Sequence, residues 1–210
     1  MSKNITVLGS TGSIGRQALD VISSQSGEMT LFGLSARSDI ETLIDQAKRF
    51  RPRVVASETP FDPARLPAGT ETIFGEGASI VLAARAEADV VVNGVSGFAA
   101  LKPLLAALEQ GKRVALANKE SIVCGKTLVD ATKRRFGGEI IPVDSEQSAI
   151  FQCLQNGRAN EVERLILTAS GGPFWRLERE TLEQVTLDPA RAHPSGNRGK
   201  QITIDSATLF

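Results

Sequence analysis

The chain has 210 residues, 41% of them apolar, and carries 24 Lys plus Arg against 24 Asp plus Glu. That length allows one large domain, or one full domain plus part of another, and the balanced charge gives no electrostatic ground for a nucleic-acid or membrane partner. The absence of tyrosine excludes a catalytic-tyrosine mechanism, and the single histidine, His193, excludes a metal site built from a histidine cluster.

In chain order, the first residues run straight into a strand-like segment, without the regions of a signal peptide. No apolar run approaches the ~18 residues of a membrane span. Strands are predicted over 5–8, 30–34, 54–56, 89–93, 114–117 and 139–143. Several are apolar at consecutive positions, as in Val90-Val91-Val92, the pattern of strands covered on both faces. Between them, Ile14, Ala18, Val21 and Ile22 fall at i, i+4, i+7 and i+8. Phe98, Leu101, Leu105 and Leu108 fall at i, i+3, i+7 and i+10. Both spacings predict helices. Alternation of this kind over about 140 residues implies βαβ units and a parallel sheet. Right-handed crossovers make it a doubly wound α/β fold of Rossmann type. The Pro-, Gly- and Thr-rich segment 61–77 is expected to be a surface loop. After Val143 the texture changes. A helix is predicted over 147–155, a strand over 164–169 and a turn at Gly171-Gly172-Pro173. A loop follows over 188–199, then a last strand over 201–204. From Asp205 or Ser206 a helix reads as just beginning, so a chain truncated at Phe210 is expected. Cys124 and Cys153 fit no metal or redox spacing and point to a reducing compartment. A cytoplasmic location is therefore expected.

The first predicted strand runs into Gly9-Ser10-Thr11-Gly12-Ser13-Ile14-Gly15, and a helix follows. Gly9 permits a tight turn, Gly12 lets backbone amides approach a pyrophosphate, and Gly15 allows close helix–strand packing. The helix N-terminus favours the phosphate charge, and Thr11 and Ser13 add hydroxyls. The strand–loop–helix context is the one a dinucleotide-binding loop requires. The competing reading is a glycine turn that binds nothing, or a mononucleotide. After the second strand the first charged residue is Arg37, beside Ser38. A guanidinium with a nearby hydroxyl suits the 2′-phosphate of NADP, where Asp or Glu would hold the 2′-hydroxyl of NAD. Asp39 then reads as the cap of a helix over 40–50.

Asp144, Ser145 and Glu146 follow the predicted strand 139–143. Asp144 and Glu146 point the same way if extended, and two hard oxygen ligands suit Mg2+ or Mn2+. Alternatively, Asp144 caps the next helix and Glu146 adds favourable charge to its first turn. Asn118, Lys119 and Glu120 also sit at a strand end. Asn118 and Glu120 are explained by a helix start, and Lys119 is either turned to a cofactor or solvated. Ser170 and the glycines after it either face a phosphate or make only a turn. His193, in a loop before Pro194, reads by default as a surface residue.

Together, GSTGSIG (9–15), ANKE (117–120), PVDSE (142–146), SAIFQ (148–152), TASGGPF (168–174), HP (193–194) and ITIDSATL (202–209) resemble the 1-deoxy-D-xylulose 5-phosphate reductoisomerase family. They stand in the family's order and spacing over essentially the whole chain. The resemblance implies an NADPH-binding Rossmann domain over 1–143 and part of an α+β catalytic, metal-binding domain over 144–210. It implies a sugar-phosphate substrate rearranged at a divalent ion, Mg2+ or Mn2+, and reduced by NADPH to 2-C-methyl-D-erythritol 4-phosphate for isoprenoid precursors. A homodimer is a further expectation. By position, Asp144 and Glu146 would hold the metal. Ser145, Glu146, Lys119, Ser170, His193 and Ser206 would meet substrate, with Lys119, Glu146 and His193 catalytic. Gly9, Thr11, Gly12, Ser13, Ile14, Asn118, Glu120 and Gly199 would meet NADPH, as would Arg37 and Ser38.

There are departures from the family pattern. Gln147 stands where the family has histidine, and Arg37-Ser38-Asp39 replaces a Gly-Lys-Asn-like turn. The run Ser195-Gly196-Asn197-Arg198-Gly199 lacks the tryptophan and methionine that cover the substrate. The family's third metal carboxylate lies in a stretch beyond Phe210, so weak or no turnover is expected of this chain alone. Two rivals remain. One is a catalytically silent NADP-binding module. The other is a semialdehyde dehydrogenase, whose chemistry needs a cysteine nucleophile beside a base.

Overall fold

The structure is a computed structural model that describes residues 2–155, 157–168, 178, 180 and 181. It divides into two compact units, Met1–Phe151 and Gln152–Phe210. The first unit alternates strand and helix. Its elements are β1 (Lys3–Leu8), α1 (Ser13–Ser24), β2 (Met29–Ala36), α2 (Ile40–Phe50), β3 (Val54–Ser57), β4 (Glu71–Phe74), α3 (Ala78–Ala83), β5 (Val90–Asn93), α4 (Leu101–Glu109), β6 (Arg113–Leu116), α5 (Glu120–Phe136) and β7 (Glu139–Pro142). Helix α6 (Ser145–Leu154) begins in it and runs past the division.

The seven strands form one sheet in the order β4-β3-β2-β1-β5-β6-β7, and every pair is parallel. This is the expected doubly wound α/β fold. The chain builds outward from β1 to β4, returns to the centre, and builds the other way from β5 to β7. The reversal leaves a crevice between the carboxyl ends of β1 and β5, where folds of this class bind their ligands.

Both faces of the sheet are covered, which accounts for the consecutive apolar runs. On one face Val7, Leu34 and Val55 pack with Leu19 and Ile22 of α1 and Leu43, Ile44 and Ala47 of α2. On the other, Leu8, Val54 and Val91 pack with Leu82 of α3, Leu104 and Leu108 of α4 and Val129 of α5. Each fully buried side chain of this size contributes roughly 1.5–3 kcal/mol.

Several expectations need correction. In α1 the buried stripe is Gly15, Leu19 and Ile22, while Val21 is exposed. Residue 21 lies one helical step of about 100° from Ile22, away from the sheet. Phe98 is likewise exposed, because it lies in a 3-10 turn (Gly97–Ala100) before α4. Segment 61–77 is not all loop. It holds a 3-10 turn at Pro63–Arg65 and β4, which pairs with β3 from Val54↔Glu71 to Ser57↔Phe74. The open edge of β3 supplies backbone partners that the flanking glycines and prolines conceal in the sequence. Phe61 and Phe74 pin the segment edge to face, ring centroids 4.9 Å apart. Helix α3 was not anticipated either.

In the second unit, a 3-10 turn covers Ala159–Glu161, and Glu161 accepts the Arg158 backbone N–H at 2.9 Å. The strand expected over 164–169 is not formed across its described part, 164–168. Among the described residues it meets no partner strand, and Ile166 is 74% exposed; an extended run without a ladder leaves its backbone groups to water. The elements expected after 169 lie outside the described residues.

Candidate cofactor and metal site

The loop from β1 to α1 is shaped by steric necessity. Gly9 has φ +69, and a Cβ on it would lie 2.9 Å from the Gly94 carbonyl oxygen at the end of β5. A Cβ on Gly15 would lie 2.3 Å from the Gly9 carbonyl oxygen. Only glycine lets the start of α1 fold this tightly onto its own loop. Gly12 is the N-cap of α1, which has no side-chain cap and no acidic residue in its first turn. By contrast, α2 is capped by Asp39, which accepts the Thr42 N–H at 3.3 Å. The open, uncapped N-terminus of α1 is compatible with an anion. Thr11 is half-buried beside it, Ser13 is exposed, and Ile14 is half-buried.

A buried polar clasp holds this loop from below. The Ser10 hydroxyl donates to Gln46 Oε1 at 2.7 Å, and Gln46 Nε2 donates back to the Ser10 carbonyl at 2.8 Å. Both residues are buried. Ser10 N–H donates to the Ser35 carbonyl at 2.8 Å and Gly9 N–H to the Ser35 hydroxyl at 3.3 Å. Sequence reading missed Ser10, Ser35 and Gln46 as site-forming residues. For Ser35 and Gln46 the only signal is polarity at positions that strand and helix spacing assigns to the core; Ser10, in the loop, carries none.

Arg37 and Ser38 leave the end of β2. Arg37 is highly exposed, with Nε 3.2 Å from Glu58 Oε2.

At the other side of the crevice, the loop after β5 meets the loop after β6. Asn118 is buried. Its Nδ2 donates to the Gly97 carbonyl at 3.0 Å and to Glu120 Oε2 at 2.8 Å. Its Oδ1 accepts the Ser121 N–H at 2.8 Å and is also bonded by the Ser121 hydroxyl. The helix-capping alternative therefore describes Asn118 correctly, and its side chain additionally ties two strand ends together. The run Asn93-Gly94-Val95-Ser96-Gly97 was also overlooked. Two glycines directly after a strand are the same signal that singled out Gly9 and Gly12.

Lys119 follows, and its Nζ lies 3.8 Å from Asp144 Oδ2 at the end of β7. Asp144 Oδ1 is buried and accepts no hydrogen bond among the described residues. Burial pushes the Asp144 carboxyl above its usual range, Lys119 pulls it back, and Glu146 then Glu120 push it up again. Three carboxylates, Asp144, Glu146 and Glu120, against one half-exposed ammonium leave this corner short of positive charge. That donor set, hard oxygens with one buried oxygen unpartnered, fits a divalent cation such as Mg2+ or Mn2+. Ser145 is exposed at the first residue of α6, and Glu146 is half-buried in its first turn. Ser170, His193, Gly199 and Ser206 lie outside the described residues. Among the described residues no group of three metal-capable His, Cys, Asp or Glu side chains occurs.

The model of the 1-deoxy-D-xylulose 5-phosphate reductoisomerase family matches residues 5–126, and the model of that enzyme's C-terminal domain matches residues 140–210. The chain belongs to this family. A reductoisomerase of Pelotomaculum thermopropionicum is 46% identical over 214 residues, covering 99% of this chain and 55% of the relative. A solved reductoisomerase from Zymomonas mobilis, in complex with NADPH, is 37% identical with a TM-score of 0.86 and covers 100% of this chain and 55% of that one. A further reductoisomerase, solved with NADPH, fosmidomycin and magnesium, is 32% identical with a TM-score of 0.83, covering 99% and 55%. The chain thus spans about half the length of the family relatives it matches. Family membership removes the semialdehyde dehydrogenase alternative. Among the described residues no helix is long and apolar enough to cross a membrane.

Proposed function

We propose that this chain is the cofactor-binding part, with a portion of the catalytic part, of an NADPH- and divalent-metal-dependent reductoisomerase. Its reaction would convert 1-deoxy-D-xylulose 5-phosphate to 2-C-methyl-D-erythritol 4-phosphate for isoprenoid precursors in the cytoplasm. In this reading residues 1–143 form the NADPH domain and 144–210 belong to the catalytic domain. What carries the proposal is one row of contacts along the carboxyl edge of the sheet. It begins at the open helix start beside Gly9 and Gly94, passes through Gly97 and Asn118, and ends at Lys119 and the Asp144 oxygen that has no partner among the described residues.

The residues divide the work. Thr11, Ser13 and Ile14 present backbone and hydroxyl donors to the pyrophosphate, and Gly9 and Gly12 let it approach the loop closely. Arg37 and Ser38 meet the 2′-phosphate, which selects NADPH over NADH. Asn118, Glu120 and Gly199 also meet NADPH. Asp144 and Glu146 hold the divalent ion, Mg2+ or Mn2+. Lys119, Ser145, Ser170, His193 and Ser206 bind and orient the sugar phosphate. Lys119, Glu146 and His193 are the groups that move or hold protons on it. When bound, the cofactors supply hydride and polarisation of a carbonyl oxygen. Assembly as a homodimer is part of the same proposal.

The test is titration of the full chain with NADPH and NADH by nicotinamide fluorescence, followed by absorbance with 1-deoxy-D-xylulose 5-phosphate and Mn2+. Tighter NADPH than NADH binding is expected. Turnover abolished by Asp144→Asn would establish the enzyme for the chain as it stands. NADPH binding without turnover would leave only the cofactor module, and absence of dinucleotide binding would overturn the proposal.

A further inference from the structure

We propose that Glu58 weakens the preference for NADPH by holding Arg37, the guanidinium assigned to the 2′-phosphate; this rests on the cofactor reading above. Arg37 directly follows β2 and Glu58 directly follows β3. The two strands pair in parallel with Ala36 opposite Ser57, so both residues leave neighbouring strand ends side by side. The Arg37 carbonyl accepts from Thr59 N–H at 3.3 Å and from the Ser57 hydroxyl at 3.5 Å. These bonds fix the points from which the two side chains depart. Nε of Arg37 then lies 3.2 Å from Oε2 of Glu58.

This carboxylate has two opposed effects on an arriving phosphate. It orients the guanidinium, which lowers the cost of ordering it. It also sets a negative charge beside the guanidinium, competing with the phosphate for it. The Arg37 side chain is 84% exposed and that of Glu58 42%. An exposed pair orients its partner weakly, because water competes for both ions. The same screening weakens direct repulsion of the phosphate, so competition between carboxylate and phosphate for the guanidinium is the larger effect, and it acts only while Arg37 is present. NADH presents a neutral hydroxyl at this point and feels neither effect strongly. Glu58 thus narrows the gap between the two cofactors without touching the glycine loop.

The full chain carrying Glu58→Gln, Arg37→Ala, or both, is titrated with NADPH and NADH at one fixed low salt concentration. Glu58→Gln should tighten NADPH binding about two- to fivefold, the size expected of an exposed ion pair, and leave NADH unchanged. Glu58→Lys should tighten NADPH further. In the Arg37→Ala background the gain from Glu58→Gln should largely vanish. An unchanged NADPH-to-NADH ratio in Glu58→Gln overturns the role of Glu58 and leaves the cofactor reading standing. A gain of equal size without Arg37 overturns the route through that residue. Failure of the unmodified chain to bind either dinucleotide overturns both readings at once.

Discussion

The two sides of the crevice are built by opposite means. Around Gly9–Gly15 the loop is neutral, made of backbone and small side chains, and its buried hydroxyl and amide pair off as Ser10 and Gln46. Around β6 and β7 the candidate groups are charged side chains, and the buried Asp144 Oδ1 has no partner among the described residues. In the proposed reading the loop binds phosphate, and such a loop must keep its donors aimed before the ligand arrives, which a preformed loop provides. A cation site gains affinity from carboxylates that repel one another until a cation separates them. In the proposed reading the first side is complete on its own, whereas the second would gain stability from a bound cation.

The contrast can be broken at several points. Gly15→Ala should have the largest effect. Its Cβ would meet the Gly9 carbonyl oxygen at 2.3 Å, a backbone clash that costs about 3 kcal/mol, the upper end of overpacking, and NADPH binding should be lost with it. Gly12→Ala is the matched control. Its Cβ would stand 3.3 Å from the same oxygen at an exposed residue, so stability should change by only about 0.5 kcal/mol. Dinucleotide affinity should still fall about tenfold. Urea unfolding and fluorescence titration separate the two outcomes, and equal destabilisation would show that the loop is not sterically preformed.

At the other side, Mg2+ or Mn2+ should raise the thermal midpoint of the chain. At a hundredfold excess over Kd the stabilisation is about 2.7 kcal/mol, and Asp144→Asn should remove it. A shift that survives Asp144→Asn would show that the cation binds elsewhere. Next in size, Gln46→Leu leaves the buried Ser10 hydroxyl and carbonyl without their partner and should cost about 1–3 kcal/mol in urea unfolding. A neutral effect would mean that the clasp does not fix the loop.

Lys112 sharpens the comparison from outside the site. It is a buried cation whose ammonium donates to the carbonyls of Ala83, at 3.0 Å, and Arg85. Burial pulls its pKa below 10.5, with Glu87 and Asp89 opposing. Between the lowered folded value and 10.5 the unfolded chain binds more protons, so stability from this residue rises with pH across that window. Below the folded value the cost of the buried charge is fully present. The difference in urea midpoint between the unmodified chain and Lys112→Met should therefore grow as pH approaches 10.5. A constant difference would mean that Lys112 behaves as a solvated lysine.

The alternation of strand and helix, the parallel sheet and the glycine loop were legible because each is a local signal repeated at fixed period or spacing. The helix start at Asp39 was legible for the same reason, being one side chain acting within one turn. Strand β4 and helix α3 were not, since β4 exists by pairing with β3 and its own residues are hidden among glycines and prolines. Asn118 was read as a cap, and it is one, but its bond to Gly97 joins strand ends 21 residues apart.

By itself, the sequence determined the fold class, the phosphate-type loop and the resemblance to one enzyme family. These depend on residue type and near-neighbour spacing, which a chain carries whatever its conformation. Tertiary structure alone decided that Gln46 clasps Ser10, that Glu58 pairs with Arg37, and that Asp144 lies beside Lys119 with one oxygen lacking a partner among the described residues. Each depends on residues distant in sequence that only the packing of strand ends and of helix α2 brings together. There, burial and charge are set by neighbours from other elements rather than by the chain's own order.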